Sequence, residues 1–230
     1  MLFRDEDEDL EVLPFADRAE AGRILAGKLS AHADRTDVVV LGLPRGGVTV
    51  ASAVAGALRL PLDVFVVSKI GIPWEKEYAM GALAEGGMRV LDLSVVRSLC
   101  VSEQNVKEAT ETARKELEIR ESLYRGGCPP LELEGKIVIV VDDGIATGCS
   151  MLAAVAALRR KSPGRVVVAV PVAPASGCSA IRMEADEVIT VAEPEMFLAI
   201  SQCYENFTQI SDGDVQRLLG TPVSSMPRAA

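Results

Sequence analysis

The chain has 230 residues, a length that suits one large domain or one domain with a small appendage. Apolar residues make up 49% of it and aromatics only 4%, so a core is expected mostly from Val, Leu, Ile and Ala. A formal charge of −9, with no basic cluster larger than Arg159-Arg160-Lys161, argues against a nucleic-acid partner, which requires a positive face to displace counterions.

The first thirteen residues hold the like-charge run Asp5-Glu-Asp-Glu-Asp9 and read as a disordered tail. Asp17 to about His32 reads as a helix: Asp17 can cap it, Glu20 follows three residues later, and Ile24, Leu25 and Leu29 share a face. Val38–Leu43 is a short unbroken apolar run, the mark of a strand buried on both faces. It ends at Pro44-Arg-Gly-Gly47, and a helix of small residues follows, Val48–Leu58. Leu62–Val67 is a second strand, Lys69–Tyr78 a long loop, and Met80–Ala84 with Met88–Leu91 a short hairpin. Ser102–Tyr124 is a long charged helix with Ser102 as its cap and a modestly apolar face of Val106, Ala109, Ala113, Leu117 and Leu123. That face suits a sheet edge or a second subunit.

After the break at Gly126-Gly-Cys-Pro-Pro130 come a third buried strand, Ile137–Val141, a helix at Gly148–Arg160, a fourth strand at Arg165–Val172, a helix at Ala175–Glu184 and a fifth strand at Glu187–Val191. From Glu193 onward the chain reads as irregular, and 221–230 as a tail. Strands alternating with helices imply an α/β fold, a mainly parallel sheet flanked by helices, with ligands beyond the carboxyl ends of the strands.

The five cysteines, Cys100, Cys128, Cys149, Cys178 and Cys203, form no CxxC pair, which argues against a zinc or redox motif. With no apolar run of bilayer length and no signal-peptide stretch, a cytoplasmic protein without a membrane partner is expected. The single histidine, His32, reads as a helix-end surface residue without a catalytic role.

Chemistry concentrates in Val140-Val-Asp-Asp-Gly-Ile-Ala-Thr-Gly-Cys-Ser-Met151. A buried strand delivers two adjacent carboxylates, then a tight turn of small and hydroxyl residues, then a helix start. Amides from Ala146 to Ser150 would converge into an anion nest, aided by the helix dipole and the hydroxyls of Thr147 and Ser150. Such a turn suits a phosphate dianion. The carboxylates beside it would need hydroxyls or a divalent cation, and a ribose 5-phosphate offers a phosphate at one end and a diol at the other.

This string resembles the phosphoribosyl pyrophosphate (PRPP) motif of type I phosphoribosyltransferases. The resemblance implies the type I fold, with a small hood built from the chain ends (about 14–35 and 193–220) on a domain spanning 14–220. It implies that Asp142 and Asp143 contact the ribose hydroxyls, and that Ala146, Thr147, Gly148, Cys149 and Ser150 hold the 5-phosphate; Cys149 stands where Gly or Ala is more usual. Leu43-Pro-Arg-Gly-Gly47 resembles the family's pyrophosphate loop. Pro44, Gly46 and Gly47 would then bring backbone to the leaving group, Arg45 would add charge, and the Pro44–Arg45 peptide bond would be cis. Lys69 occupies the place of a basic residue near the pyrophosphate, and Ile70–Ala84 that of the mobile loop covering the reacting centre.

The blocks Phe15–Gly22, Glu77–Ala82 and Gln209–Asp212 extend the resemblance to a bacterial and archaeal subgroup of undefined acceptor. The implied reaction is transfer of the phosphoribosyl group to a nitrogenous acceptor. Mg²⁺ would be held by Asp142 and Asp143, directly or through ribose hydroxyls and water. Phe15, Phe197, Tyr204 and Phe207 are candidates to stack on a flat acceptor, with core packing as the alternative. Ala146 stands where 6-oxopurine enzymes carry an Asp, which disfavours hypoxanthine and guanine. A homodimer is expected. The competing readings are a non-catalytic PRPP-binding regulator and a receiver-type domain; the second is disfavoured because its acidic pair comes early in the chain, not late.

Overall fold

The computed structural model describes residues 13–220; the acidic run Asp5–Asp9 and the segment 221–230 lie outside them. Five parallel strands form the central sheet: β1 (Val38–Gly42), β2 (Leu62–Val64), β6 (Ile137–Val141), β7 (Arg165–Val172) and β8 (Glu187–Ala192), in the order β2-β1-β6-β7-β8. Every residue of β1 is buried, as is all of β6 after Ile137, which is what unbroken apolar runs achieve only between two helical layers.

One layer is α1 (Arg18–Lys28) and α2 (Gly46–Leu58), which pack Leu25, Val50 and Val54 on Val38, Val40, Ile139 and Val141. The other centres on α5 (Cys149–Arg159), whose Met151, Val155 and Leu158 meet Val39, Val138 and Val140. The alternation of partners along each strand follows from the two-residue side-chain period. Fold class is therefore as expected, an α/β domain with a parallel sheet flanked by helices.

The main correction lies between β2 and α4 (Glu103–Arg125). The expected single strand at 62–67 is two strands in different sheets, and the expected loop at 69–78 is mostly strand. β3 (Val67–Ile72), β4 (Glu75–Ala84) and β5 (Met88–Leu91) form a second, antiparallel sheet, in which the expected pairing of Met80–Ala84 with Met88–Leu91 is present. A register shift at Gly71 breaks the alternation that would have revealed β3 and β4 in the sequence. α3 (Leu93–Ser98) follows, capped by Asp92.

The long helix α4 is capped by Ser102, which accepts from the Asn105 amide, as expected. It lays Val106, Ala113 and Leu117 on the second sheet's Ile70, Met80 and Leu83. At its end Arg125 donates to Glu85 and to the Val64 carbonyl, and Glu85 accepts from Val66, so a buried ion pair ties the two sheets together. The stretch expected as one helix at 175–184 is two short ones, α6 (Ala175–Cys178) and α7 (Ile181–Glu184). A further helix, α8 (Asp212–Leu218), lies in the segment expected to be irregular; Ser211 and Asp214 close a capping box on it. Ile24 is exposed although Leu25 and Leu29 are buried, and His32, expected at the surface, is half-buried. The two ends of the domain meet: Phe15 bridges to Tyr204, and its amide donates to the Cys203 carbonyl.

Candidate functional site

Strand order reverses between β1 and β6: β1 leads outward to β2 on one side, β6 to β7 and β8 on the other. Such a switch leaves a crevice beyond the carboxyl ends of the strands. A cavity of about 750 Å³ opens there, lined by the turn after β1 (43–46), the length of β3 with Pro73 after it, one side of α4 and the turn after β6 (142–151). Two turns singled out from sequence, far apart in the chain, are thus brought to one place.

The Leu43 amide donates to the Val141 carbonyl at 2.8 Å and holds the two turns at one level. The Pro44–Arg45 bond is cis, as the resemblance implied. Gly46 and Gly47 are required by close approach rather than by φ. A Cβ on Gly46 would lie 1.9 Å from Asp143 Oδ2, and one on Gly47 2.7 Å from the Asp142 Cα. In the second turn, Gly148 has φ +80 and sits 2.8 Å, by its would-be Cβ, from the Gly177 carbonyl, so that α6 buttresses the turn.

Both turns end in helix starts with no side-chain cap, α2 after Arg45 and α5 after Gly148. By contrast α1, α3, α4 and α8 are capped by Asp17, Asp92, Ser102 and Ser211. Among the described residues the amides of Gly46 and Gly47, and those of Ala146 to Ser150, donate to no protein acceptor. Uncapped amides at a helix start, reinforced by the dipole, are anion sites. Thr147 is exposed and Ser150 half-buried, with both residues on the cavity wall.

Between the turns sit the two aspartates. Asp142 Oδ1 accepts from the Asp143 amide at 2.8 Å. Burial, then the adjacent Asp143 charge, pushes the Asp142 carboxyl well above the usual carboxylate range, while the Lys69 ammonium and the Arg18 guanidinium oppose the rise. Asp143 is buried, and its Oδ2 accepts from Arg18 Nε at 2.7 Å. Arg45 and Lys69 are exposed on the cavity wall and, among the described residues, form no ion pair with protein carboxylates. They remain available to an anion.

Sequence reasoning missed two contributions. The first is the wall supplied by α4, where Asn105, Glu108, Thr112, Glu116 and Arg120 recur at helical spacing along the cavity; the period of that polar stripe is legible, but on its own it reads as ordinary solvated surface. The second is Arg18, whose partner lies 125 positions away and leaves no local signal. Conversely, Phe15, Phe197, Tyr204 and Phe207 do not line the cavity. Phe15 and Tyr204 are buried with ring centroids 5.4 Å apart, Tyr204 and Phe207 lie 5.2 Å apart, and Phe197 packs on the same cluster. Ile200 is the residue of that segment that does reach the cavity.

Among the described residues no group of three or more His, Cys, Asp or Glu side chains is arranged to hold a metal ion. Asp142 and Asp143 offer oxygens, with one oxygen of Asp143 engaged by Arg18. This donor set fits a hard cation such as Mg²⁺ only when a substrate's own oxygens and water complete the shell. No helix among the described residues is long and apolar enough to cross a membrane.

A family model described as phosphoribosyl transferase domain matches residues 15–208. The Mycobacterium tuberculosis H37Rv protein named "Putative phosphoribosyl transferase Rv0571c" is 43% identical over 205 residues, covering 89% of this chain and 46% of that protein. The chain therefore spans about half the length of the curated relatives it matches. The crystal structure of TT1426 from Thermus thermophilus superposes with a TM-score of 0.74 at 39% identity, over 90% of this chain and 98% of that one.

Proposed function

The chain belongs to the phosphoribosyl transferase family, and on that premise we propose that it transfers the 5-phosphoribosyl group of PRPP to a nitrogenous acceptor, releasing pyrophosphate. One observation carries the reading: two uncapped helix starts open into one cavity on either side of an aspartate pair. The order of these groups suits a ligand with an anion at each end and hydroxyls between.

In this reading the amides of Ala146 to Ser150, with the Thr147 and Ser150 hydroxyls, grip the 5-phosphate. Asp142 accepts from the ribose hydroxyls. Gly46 and Gly47 offer amides to the pyrophosphate, and Arg45 and Lys69 stabilise the charge that grows on it. The bond from ribose C1 to the pyrophosphate oxygen breaks, its electron pair leaving with pyrophosphate, while the acceptor nitrogen's lone pair bonds to C1 and the proton it carried passes to pyrophosphate or solvent. Glycosyl transfers of this kind pass through oxocarbenium-like states, so positioning and charge stabilisation do most of the catalysis. When bound, Mg²⁺ would neutralise pyrophosphate charge, with Asp142 and Asp143, directly or through ribose hydroxyls and water, as the protein groups that would hold it. The β3–β4 hairpin, which places Gly71, Ile72 and Pro73 at the cavity, covers the reacting centre against water.

With the aromatic cluster turned into the core, the acceptor meets Ile200 and the polar side of α4 instead of a stack of rings. Ala146 offers no carboxylate to a purine N7, so 6-oxopurines are poor acceptors. The test is calorimetry with Mg²⁺ and PRPP, followed by pyrophosphate release against a panel of bases and amines. Binding with release accelerated by one acceptor supports the reading. Tight binding with no accelerated release would make the chain a PRPP-responsive regulator, and absence of binding would refute both.

A further inference from the structure

The reaction as proposed gives no part to the sequence block Phe15–Gly22, although its Arg18 bonds the carboxylate of Asp143. The Arg18 guanidinium is fixed from three directions. Its Nε donates to Asp143 Oδ2 at 2.7 Å, its Nη1 donates to the Thr208 carbonyl at 2.9 Å, and its Cζ lies 3.7 Å from the centroid of the Phe207 ring. Arg18 is only 7% exposed and does not line the cavity, so it touches no substrate there.

What the guanidinium holds is placed with little slack. Asp143 Oδ2 occupies the room a side chain on residue 46 would take: a Cβ there would lie 1.9 Å from that oxygen and 2.9 Å from Arg18 Nε. Asp143 belongs to the turn after β6, and Gly46 to the turn after β1. We infer that Arg18 is a positioning residue that presses the Asp143 carboxylate against the Gly46 backbone, so that the ribose turn and the pyrophosphate turn are set as one unit.

A buried ion pair adds little net stability compared with apolar packing. α1 is already held by Ala21, Leu25 and Ala26, all buried. The pair's value lies in direction: it fixes one carboxylate rotamer beside an adjacent carboxylate that is free to face the ligand. The chain ends serve the same purpose. Phe207 and Thr208 come from the C-terminal segment and Arg18 from the N-terminal helix, and they converge on the one guanidinium that holds Asp143.

The inference rests on the proposed PRPP reading, and its test separates the two. Calorimetry on the full chain with Mg²⁺ uses three probes, PRPP, inorganic pyrophosphate and ribose 5-phosphate, against wild type, R18M and R18K, with thermal melts alongside. R18M should weaken PRPP and pyrophosphate by about tenfold or more, the scale on which supporting groups act through others. Ribose 5-phosphate, gripped by the 146–150 amides and Asp142, should weaken less than pyrophosphate. R18K, which keeps the charge, should recover part of the loss.

A lower melting temperature with all three affinities unchanged would mean that Arg18 only anchors α1, and would overturn the inference. If R18M does not fold, R18K and F207L carry the test, because each keeps the cation and removes one support; wild-type pyrophosphate affinity in both would overturn it equally. Wild-type protein that binds neither PRPP nor pyrophosphate would overturn the proposed function and this inference with it. Wild-type binding matched by R18M would overturn the inference alone.

Discussion

The Tyr204 hydroxyl donates to the Asp143 backbone carbonyl at 2.6 Å, joining the C-terminal segment to the main chain between the aspartate pair and the 144–148 turn. Burial, then the Asp143 charge, pushes the Tyr204 phenol well above its ordinary value, so it stays protonated and remains a donor. Tyr204→Phe leaves a buried carbonyl without this partner and should cost about 1–3 kcal/mol. Urea unfolding measures it; a midpoint equal to wild type would show that the bond contributes nothing.

Gly46→Ala tests the close approach of the two turns. The new methyl would meet Asp143 Oδ2 at 1.9 Å, and that carboxylate is buried and held by Arg18, so it cannot swing aside freely. PRPP affinity should fall by at least about tenfold, the effect of displacing a supporting group by an ångström or so. Retention of full affinity in a calorimetric titration would mean that the turn has room to spare.

Asp142→Asn should separate stability from binding. In the ligand-free protein the charge is disfavoured by burial and by its neighbour. An amide of the same shape relieves both, so the melting temperature should hold or rise. PRPP binding should weaken by about tenfold to a hundredfold, the value of hydrogen bonds to a charged group. A variant that loses stability and keeps its affinity would contradict this account of the residue.

Trp74, the only tryptophan of the chain, is 58% exposed at the turn between β3 and β4. If this hairpin covers the bound donor, saturating Mg²⁺ and PRPP should shift the indole emission to the blue and reduce quenching by acrylamide. Emission that stays unchanged while calorimetry reports saturation would exclude closure of this hairpin over the ligand.

Asp186 carries a pH dependence away from the site. The Arg159 guanidinium and the Val166 amide, which donates to Asp186 Oδ2 at 2.7 Å, hold its carboxyl below the usual carboxylate range. A depressed acid stabilises the fold above its unfolded pKa, and that contribution disappears as pH falls through the lowered folded value. The effect should be modest, because the Asp186–Arg159 pair is more than a third exposed and screened by solvent. Thermal melts taken from neutral to acid pH should fall less steeply for Asp186→Asn than for wild type.

What could be read from sequence was what is local or fully buried. Ile137–Val141 and Arg165–Val172 announced themselves as continuous apolar runs because helices cover both faces. The turn after β6 was legible because its small residues, hydroxyls and paired acids are adjacent in the chain. β3 and the first half of β4 were not, because Gly71 shifts their register and Glu75 and Tyr78 put polar, exposed positions where a strand pattern should alternate. α8 is only two turns long, and its box uses Asp214 where the usual signal is Glu or Gln. Arg18 was legible only as a member of the Phe15–Gly22 block and its role was not, since an arginine early in a helix looks like any solvated charge until its distant partner is known. For the aromatic side chains the sequence left stacking and core packing both open; Phe15, Tyr204 and Phe207 pack on one another, and none of the four, Phe197 included, is on the cavity wall.

β1 and β6 run in step from Val38 opposite Ile137 to Gly42 opposite Val141, so each delivers its turn after the same number of residues. Strand length here acts as a ruler. One residue inserted into either strand would lift its turn by roughly 3.3 Å and reverse which side chains face which layer. Backbone counting in β1 and β6 therefore sets the level at which the two turns begin, before any side chain adjusts them.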